Sequence, residues 1–216
     1  DDALSPAGGL VLASDGLLYG TTKFGQAGQI DGAGSIFKIA AAGTGFQIIH
    51  RFAPVTASNQ DLNPINTNGA YPEAELVEGA DGYLYGVAPA GGPNGTGTIF
   101  KISRDGTDFQ LLHSFAAVTS SSTSGLTVTV DGAAPTGPLV ASTDNFCYGT
   151  TSQGGANGRG VVFRIAFDGT GFQVLHHFGA TTTDTTTGLL ENEAGATPVG
   201  GLVDGIVQAT SPALAR

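Results

Sequence analysis

The chain is written in short apolar runs separated by turns. "AELVEG", "YLYGVA", "GTIFKIS" and "FQLLHSF" are each of strand length, with Asp81-Gly82 after the first and Asp105-Gly106 before the last. Asp-Gly between apolar runs is a strong hairpin signal, so the four runs predict a four-stranded antiparallel meander. The same order of runs is found before and after it. "FQIIHRF" (46–52), "FQLLHSF" (109–115) and "FQVLHHF" (172–178) place His50, His113 and His176 at a spacing of 63 residues, and Phe37, Phe100 and Phe163 keep that spacing. Such periodicity marks a repeat protein.

A further element, Pro followed four residues later by Leu-Val, occurs at Pro6, Pro72, Pro135 and Pro198. It divides the chain into repeat 1 (6–71), repeat 2 (72–134), repeat 3 (135–197) and a partial repeat 4 (198–216). Three residues are added in the first copy's "KFGQAGQIDGAG", where an insertion is best tolerated, in a loop. The second run of each copy has bulky groups at successive positions: Leu17, Leu18 and Tyr19; Tyr83, Leu84 and Tyr85; Phe146, Cys147 and Tyr148. A strand buried on both faces needs sheets stacked on either side of it. Radially arranged blades provide that, and the expected fold is all-β and propeller-like, with three four-stranded antiparallel blades.

"SDGLLYGTTKFG", "ADGYLYGVAPAGG" and "TDNFCYGTTSQGGANGRGVVFRI" resemble the tandem repeats named GloVer, found in secreted and surface-anchored bacterial proteins. Their motif runs roughly D-G-x-L-Y-G-T-T, a Gly-rich loop, then G-T-V-F-x-I. The resemblance covers essentially the whole chain and implies a propeller-like fold and a secreted, extracellular or cell-surface protein. It implies no reaction, because the repeat and not a catalytic residue defines the family. Val87-Ala88 departs from Thr-Thr, and "LVDGIVQATSP" has Gln208 where Tyr is expected.

Composition narrows the partners. The chain has 216 residues, 35 glycines and a net charge of −10, with only eight Lys and Arg, which argues against nucleic acid and anionic membrane. No apolar run reaches the ~20 residues of a membrane helix. "DDALSPAGG" has neither the basic end nor the apolar stretch of a signal peptide, so the chain reads as an already processed form. Cys147 alone permits no internal disulfide and, standing where Leu18 and Leu84 stand in the other copies, reads as a small core residue.

The repeated groups read as scaffold. Alternation puts Phe46, Ile48, His50 and Phe52 on one face, so His50, His113 and His176 are expected among apolar neighbours in three separate blades, unable to share a substrate or a metal. His177 falls on the opposite face with no evident partner. Tyr19, Tyr85 and Tyr148 are expected in blade interfaces, and Lys38, Lys101 and Arg164 beside carboxylates. The loops "GGPNGTG" and "GGANGRG" lack the Lys-Ser/Thr and the following helix of a phosphate cradle.

Function is expected in the long connections. About 20 residues separate Phe52 from Pro72, Phe115 from Pro135 and Phe178 from Pro198, and these loops share a face with those joining the second and third strands. They are amide- or Ser/Thr-rich, suited to polysaccharide or to O-linked sugars, or to packing on neighbouring blades. Asp31, Asp61, Asp131 and Asp184, with Glu191 and Glu193, offer hard oxygen ligands for calcium but lack its loop spacing, and no other cofactor is indicated.

Three full units are fewer than the 4 to 8 blades of a closed propeller. The chain is therefore expected to form a homo-oligomer, as a ring or a filament, with Pro198, Leu202 and Val203 joining a neighbour's incomplete blade, unless it is part of a longer propeller. The expected function is a non-enzymatic extracellular structural or binding module. The alternative is a polysaccharide hydrolase or lyase using Glu73 with Glu75, or Glu191 with Glu193.

Overall fold

The computed structural model describes residues 3–26, 32–58, 63–120, 127–179, 182–183, 190–191 and 197–202. The first blade holds β1 (Ala3–Leu12), β2 (Leu17–Gln26), β3 (Ser35–Ala40) and β4 (Gln47–Arg51). A two-stranded ribbon, β5 (Ala57–Ser58) and β6 (Pro64–Ile65), lies in the connection that follows. The second blade holds β7 (Val77–Glu78), β8 (Leu84–Ala88), β9 (Thr98–Ile102) and β10 (Phe109–Ser114), followed by the ribbon β11 (Thr119–Ser120) and β12 (Thr127–Val128). The third holds β13 (Val140–Ala141), β14 (Phe146–Thr151), β15 (Val161–Ala166) and β16 (Gln173–His177), followed by β17 (Thr182–Thr183) and β18 (Leu190–Glu191).

Each blade is a four-stranded antiparallel meander with its strands in chain order, and the described residues contain no helix. The fold is all-β and propeller-like, as the repeats predict. The first strands of the second and third blades are shorter than "AELVEG" suggests, while β1 runs to ten residues. The residues ahead of β7 and β13 are used differently: the amides of Tyr71 and Ala134 donate to the carbonyls of Ala33 and Thr96 in the preceding blade's loop. To aim those amides, the chain enters the left-handed region just before each repeated proline, at Ser5 (φ 57°), Tyr71 (61°), Ala134 (52°) and Thr197 (54°). Non-glycine residues persist there only where surrounding structure holds them.

The core lies between the blades. Tyr19, Ile36 and Phe52 of the first pack with Leu76, Leu84, Phe100 and Ile102 of the second. Tyr85, Val87, Ile99 and Phe115 of the second pack with Leu139, Cys147, Phe163 and Ile165 of the third. All five residues of β8 are buried, Leu84 facing one core and Tyr85 the other, which is why this strand has no polar face. The Tyr-Gly pairs have a steric cause. A Cβ on Gly86 or Gly149 would fall 2.6 Å from the ring of Phe100 or Phe163, which lies flat across the second strand.

Candidate functional site

Each blade joint is built from the same few groups. The ring of His50 stacks on Phe109 of the next blade, with centroids 3.9 Å apart and planes 1° from parallel. His113 stacks on Phe172 at 3.8 Å and 5°. Beneath them Phe52 meets Phe100, and Phe115 meets Phe163, edge to face.

His50 and His113 are half-buried rather than enclosed, and each outer strand carries a bulge: in the first, Ile36 pairs with His50 and Phe37 with Ile48, so Ile49 is skipped. The simple alternation expected for "FQIIHRF" is broken at that point. It frees Ile49 to cover Gly106 of the next blade, where a Cβ would come within 2.3 Å of the Ile49 carbonyl oxygen. Leu112 covers Gly169 in the same way. Burial lowers the pKa of His50 to about 4, so the ring is neutral at neutral pH.

Tyrosine and lysine close the other end of the joint. Tyr19 donates its hydroxyl to Asp15 (2.8 Å) and to the Arg104 carbonyl of the next blade (3.3 Å), where Lys38 Nζ also donates (3.4 Å). Tyr85 donates to Asp81 (2.7 Å) and the Phe167 carbonyl (3.3 Å), and buried Lys101 donates to the same carbonyl at 2.9 Å. Burial, then the carboxylate beside each, raises both phenols well above their ordinary range. The carboxylate partners expected for the lysines are thus backbone carbonyls, which keep the ammonium groups satisfied without a second buried charge. Arg164 instead bonds Gln173 Oε1 in its own blade and lies 4.7 Å from the Phe146 ring.

The long connections pack on the neighbouring blade's loop. Asn66, buried, donates to the carbonyls of Ala53 and Gly69 and accepts the amides of Gly69 and Gly92. Thr129 Oγ1 accepts from Gly132 and Gly155 at the matching place. Above Asn66 is an open, mainly apolar hollow of about 440 Å³ lined by Ala53, Pro54, Thr56, Ile65, Thr67 and Pro93.

Of the acidic candidates, Asp131 is engaged by the Ala116 amide (3.0 Å) and by His113 Nε2 (2.9 Å). Asp31, Asp61, Asp184 and Glu193 lie outside the described residues, as does Val203. Among the described residues no three His, Cys, Asp or Glu side chains gather as a metal site. Glu73 pairs with Lys23, and the Glu75 carboxylate lies over Gly9. His177 does have a partner, since its Nδ1 accepts the Ala156 amide at 3.1 Å. Cys147 is buried, which pushes its thiol up to about 12 and leaves it inert.

Among the described residues, the ends of the array carry the same groups without the second half of the joint. On the third blade, Tyr148 bonds Asp144 alone of the two kinds of acceptor, and His176 and Leu175 are exposed. On the first blade, Phe46 rests on Phe37 with its other face open, Leu10 is 50% exposed against 2% and 4% for Leu76 and Leu139, and nothing lies within 4 Å of a Cβ on Gly43. The pairing of histidine with the next blade's phenylalanine is not evident from one repeat. The signal for it was the common spacing of Gly43, Gly106 and Gly169 with Phe46, Phe109 and Phe172.

The family model described as "Gloeobacter/Verrucomicrobia repeat" matches residues 1–205, and the chain belongs to that family. No curated protein matches it. Among solved structures, a chain of a nidogen/laminin complex is similar at 16% identity and a TM-score of 0.46, over 84% of this chain and 53% of that one. A gluconolactonase from Xanthomonas campestris is similar at 14% identity and a TM-score of 0.32, over 82% of this chain and 65% of that one. The chain thus spans about half to two thirds of the length of these structures.

Proposed function

We propose that this Gloeobacter/Verrucomicrobia repeat protein is a non-enzymatic extracellular structural module that associates with copies of itself through its two terminal blades. The observation that carries the reading is the half-made joint at each end. By the repeat register, Leu175 stands to Gly43 as Leu112 does to Gly169, and His176 stands to Phe46 as His113 does to Phe172. Tyr148 and Arg164 stand to the Ala41 carbonyl as Tyr85 and Lys101 do to that of Phe167. The third blade of one copy is therefore complementary to the first blade of another, and a contact between two different surfaces gives a ring or a filament.

The extracellular setting rests on the likeness of the repeats to secreted and surface-anchored proteins. The face bearing the long connections, with the hollow over Asn66, is the surface assigned to carbohydrate or a partner protein. Light scattering across a concentration series tests the association: masses rising from the 21.6 kDa of one chain toward its multiples support it, and a constant single-chain mass overturns it.

A further inference from the structure

We infer that residues 197–202 cap the third blade, holding in cis the place that β1 of a second copy takes when copies associate. The inference rests on the association proposed above and adds its regulation.

The two segments are near copies. "SPAGGL" (5–10) and "TPVGGL" (197–202) share Pro, Gly-Gly and Leu, and both enter through a left-handed residue before proline. The second segment already makes the contacts of a next blade's leading residues. The Thr197 amide donates to the Arg159 carbonyl at 2.9 Å, as Tyr71 does to Ala33 and Ala134 to Thr96. Thr150 Oγ1 donates to the Gly200 carbonyl (3.2 Å), as Thr21 does to Ala74 (3.3 Å). Pro198 reaches Gly160 as Pro135 reaches Gly97, and Gly201 lies against Pro138 so closely that a Cβ would fall 2.6 Å from that ring.

A second copy seated on the third blade in the repeat register brings its Ser5–Leu10 to this same place. Both segments cannot occupy it. β1 pairs with β2 from Ala3–Gln26 to Leu12–Leu18, whereas residues 197–202 form no strand pairs, so keeping β1 and releasing the cap preserves the longer ladder. Pro6, Gly8 and Leu10 are exposed on the free chain, although their counterparts Pro72, Ala74 and Leu76 in the second blade and Pro135, Gly137 and Leu139 in the third are buried. β1 is thus the strand that gains a surface on association, and the cap is the one that gives it up.

Two substitutions at one repeat position then act with opposite sign. Leu202→Asp weakens the cap and should lower the dissociation constant of self-association about tenfold; Leu10→Asp weakens the incoming strand and should raise it about tenfold. Gly201→Val, which drives a side chain into Pro138, should act like Leu202→Asp. Light-scattering dilution series on the three full-length variants and the wild type read these shifts. Association that is weakened by Leu202→Asp, or unmoved by both Leu202→Asp and Gly201→Val, overturns the cap while leaving association standing. Single-chain mass for every variant at every concentration overturns both.

Discussion

The joint between the first and second blades and the joint between the second and third share a frame and differ at the rim. In the first, Ser14 donates its amide and hydroxyl to Glu78, and Arg104 bonds both at 2.6 Å and 3.2 Å. In the second, the same repeat positions hold Ala80, Ala141 and Phe167, and Phe167 lies 4.8 Å from the Tyr85 ring. Beside the histidine, Asn68 in the first joint is replaced by Asp131 in the second. A polar cluster and an aromatic pair thus support one backbone geometry. What recurs is what the geometry requires: tyrosine and lysine on a carbonyl, histidine on phenylalanine, an aliphatic side chain over glycine. The rim only needs to be filled and satisfied.

The largest effect should come from the shared frame and be equal in both joints. Phe115→Ala and Phe52→Ala remove rings that are 0% and 4% exposed, and each should cost about 3–5 kcal/mol in denaturant unfolding. A large cost in one joint and a small one in the other would show that the frame is not common to both.

Next is the acid response of the first joint. In the unfolded chain an imidazole titrates near 6.5, and in the folded chain His50 titrates at about 4. Between those values the unfolded state binds the proton and the folded state does not. The contribution is therefore complete above about pH 6.5 and lost as pH falls toward 4, amounting to roughly 2 kcal/mol after allowance for partial exposure. His50→Phe keeps a stacking ring and should flatten the stability profile in that window. An unchanged profile would remove His50 from the account.

Interior joints can also be set against the open end. Tyr19→Phe and Tyr85→Phe each take a hydroxyl from a carboxylate and a neighbouring-blade carbonyl, and should cost about 1 kcal/mol. Tyr148→Phe, in dilute protein, should cost measurably less, because its hydroxyl donates to the exposed Asp144 and, among the described residues, to no carbonyl of a neighbouring blade. The smallest effect belongs to Lys23 and Glu73, an exposed ion pair across the first joint; Lys23→Ala should cost at most about 0.5 kcal/mol and less in high salt.

Much of this was legible in the sequence for one reason: the chain repeats itself. The spacing of His50, His113 and His176 located the outer strands, and the doubly bulky Tyr83-Leu84-Tyr85 implied sheets on both sides of a blade. The lysine partners were not legible, because a backbone carbonyl has no side-chain signature. Nor was the outer-strand bulge, which shifts Ile49 and His50 without altering the pattern of apolar letters. The short β7 and β13 go with the Tyr71 and Ala134 amides turned to a preceding blade, a contact that composition does not announce and that, among the described residues, β1, with the same left-handed residue at Ser5, does not make.

The most direct measurement is the ring-proton chemical shift of each histidine over a dilution series by NMR. His50 and His113 should show the displacement of a ring stacked on an aromatic at every concentration, and His176 should acquire it only as copies associate. Stacking shifts absent from His50 and His113, or a His176 signal that stays constant while the mass rises, would contradict a single joint used twice within the chain and once between chains.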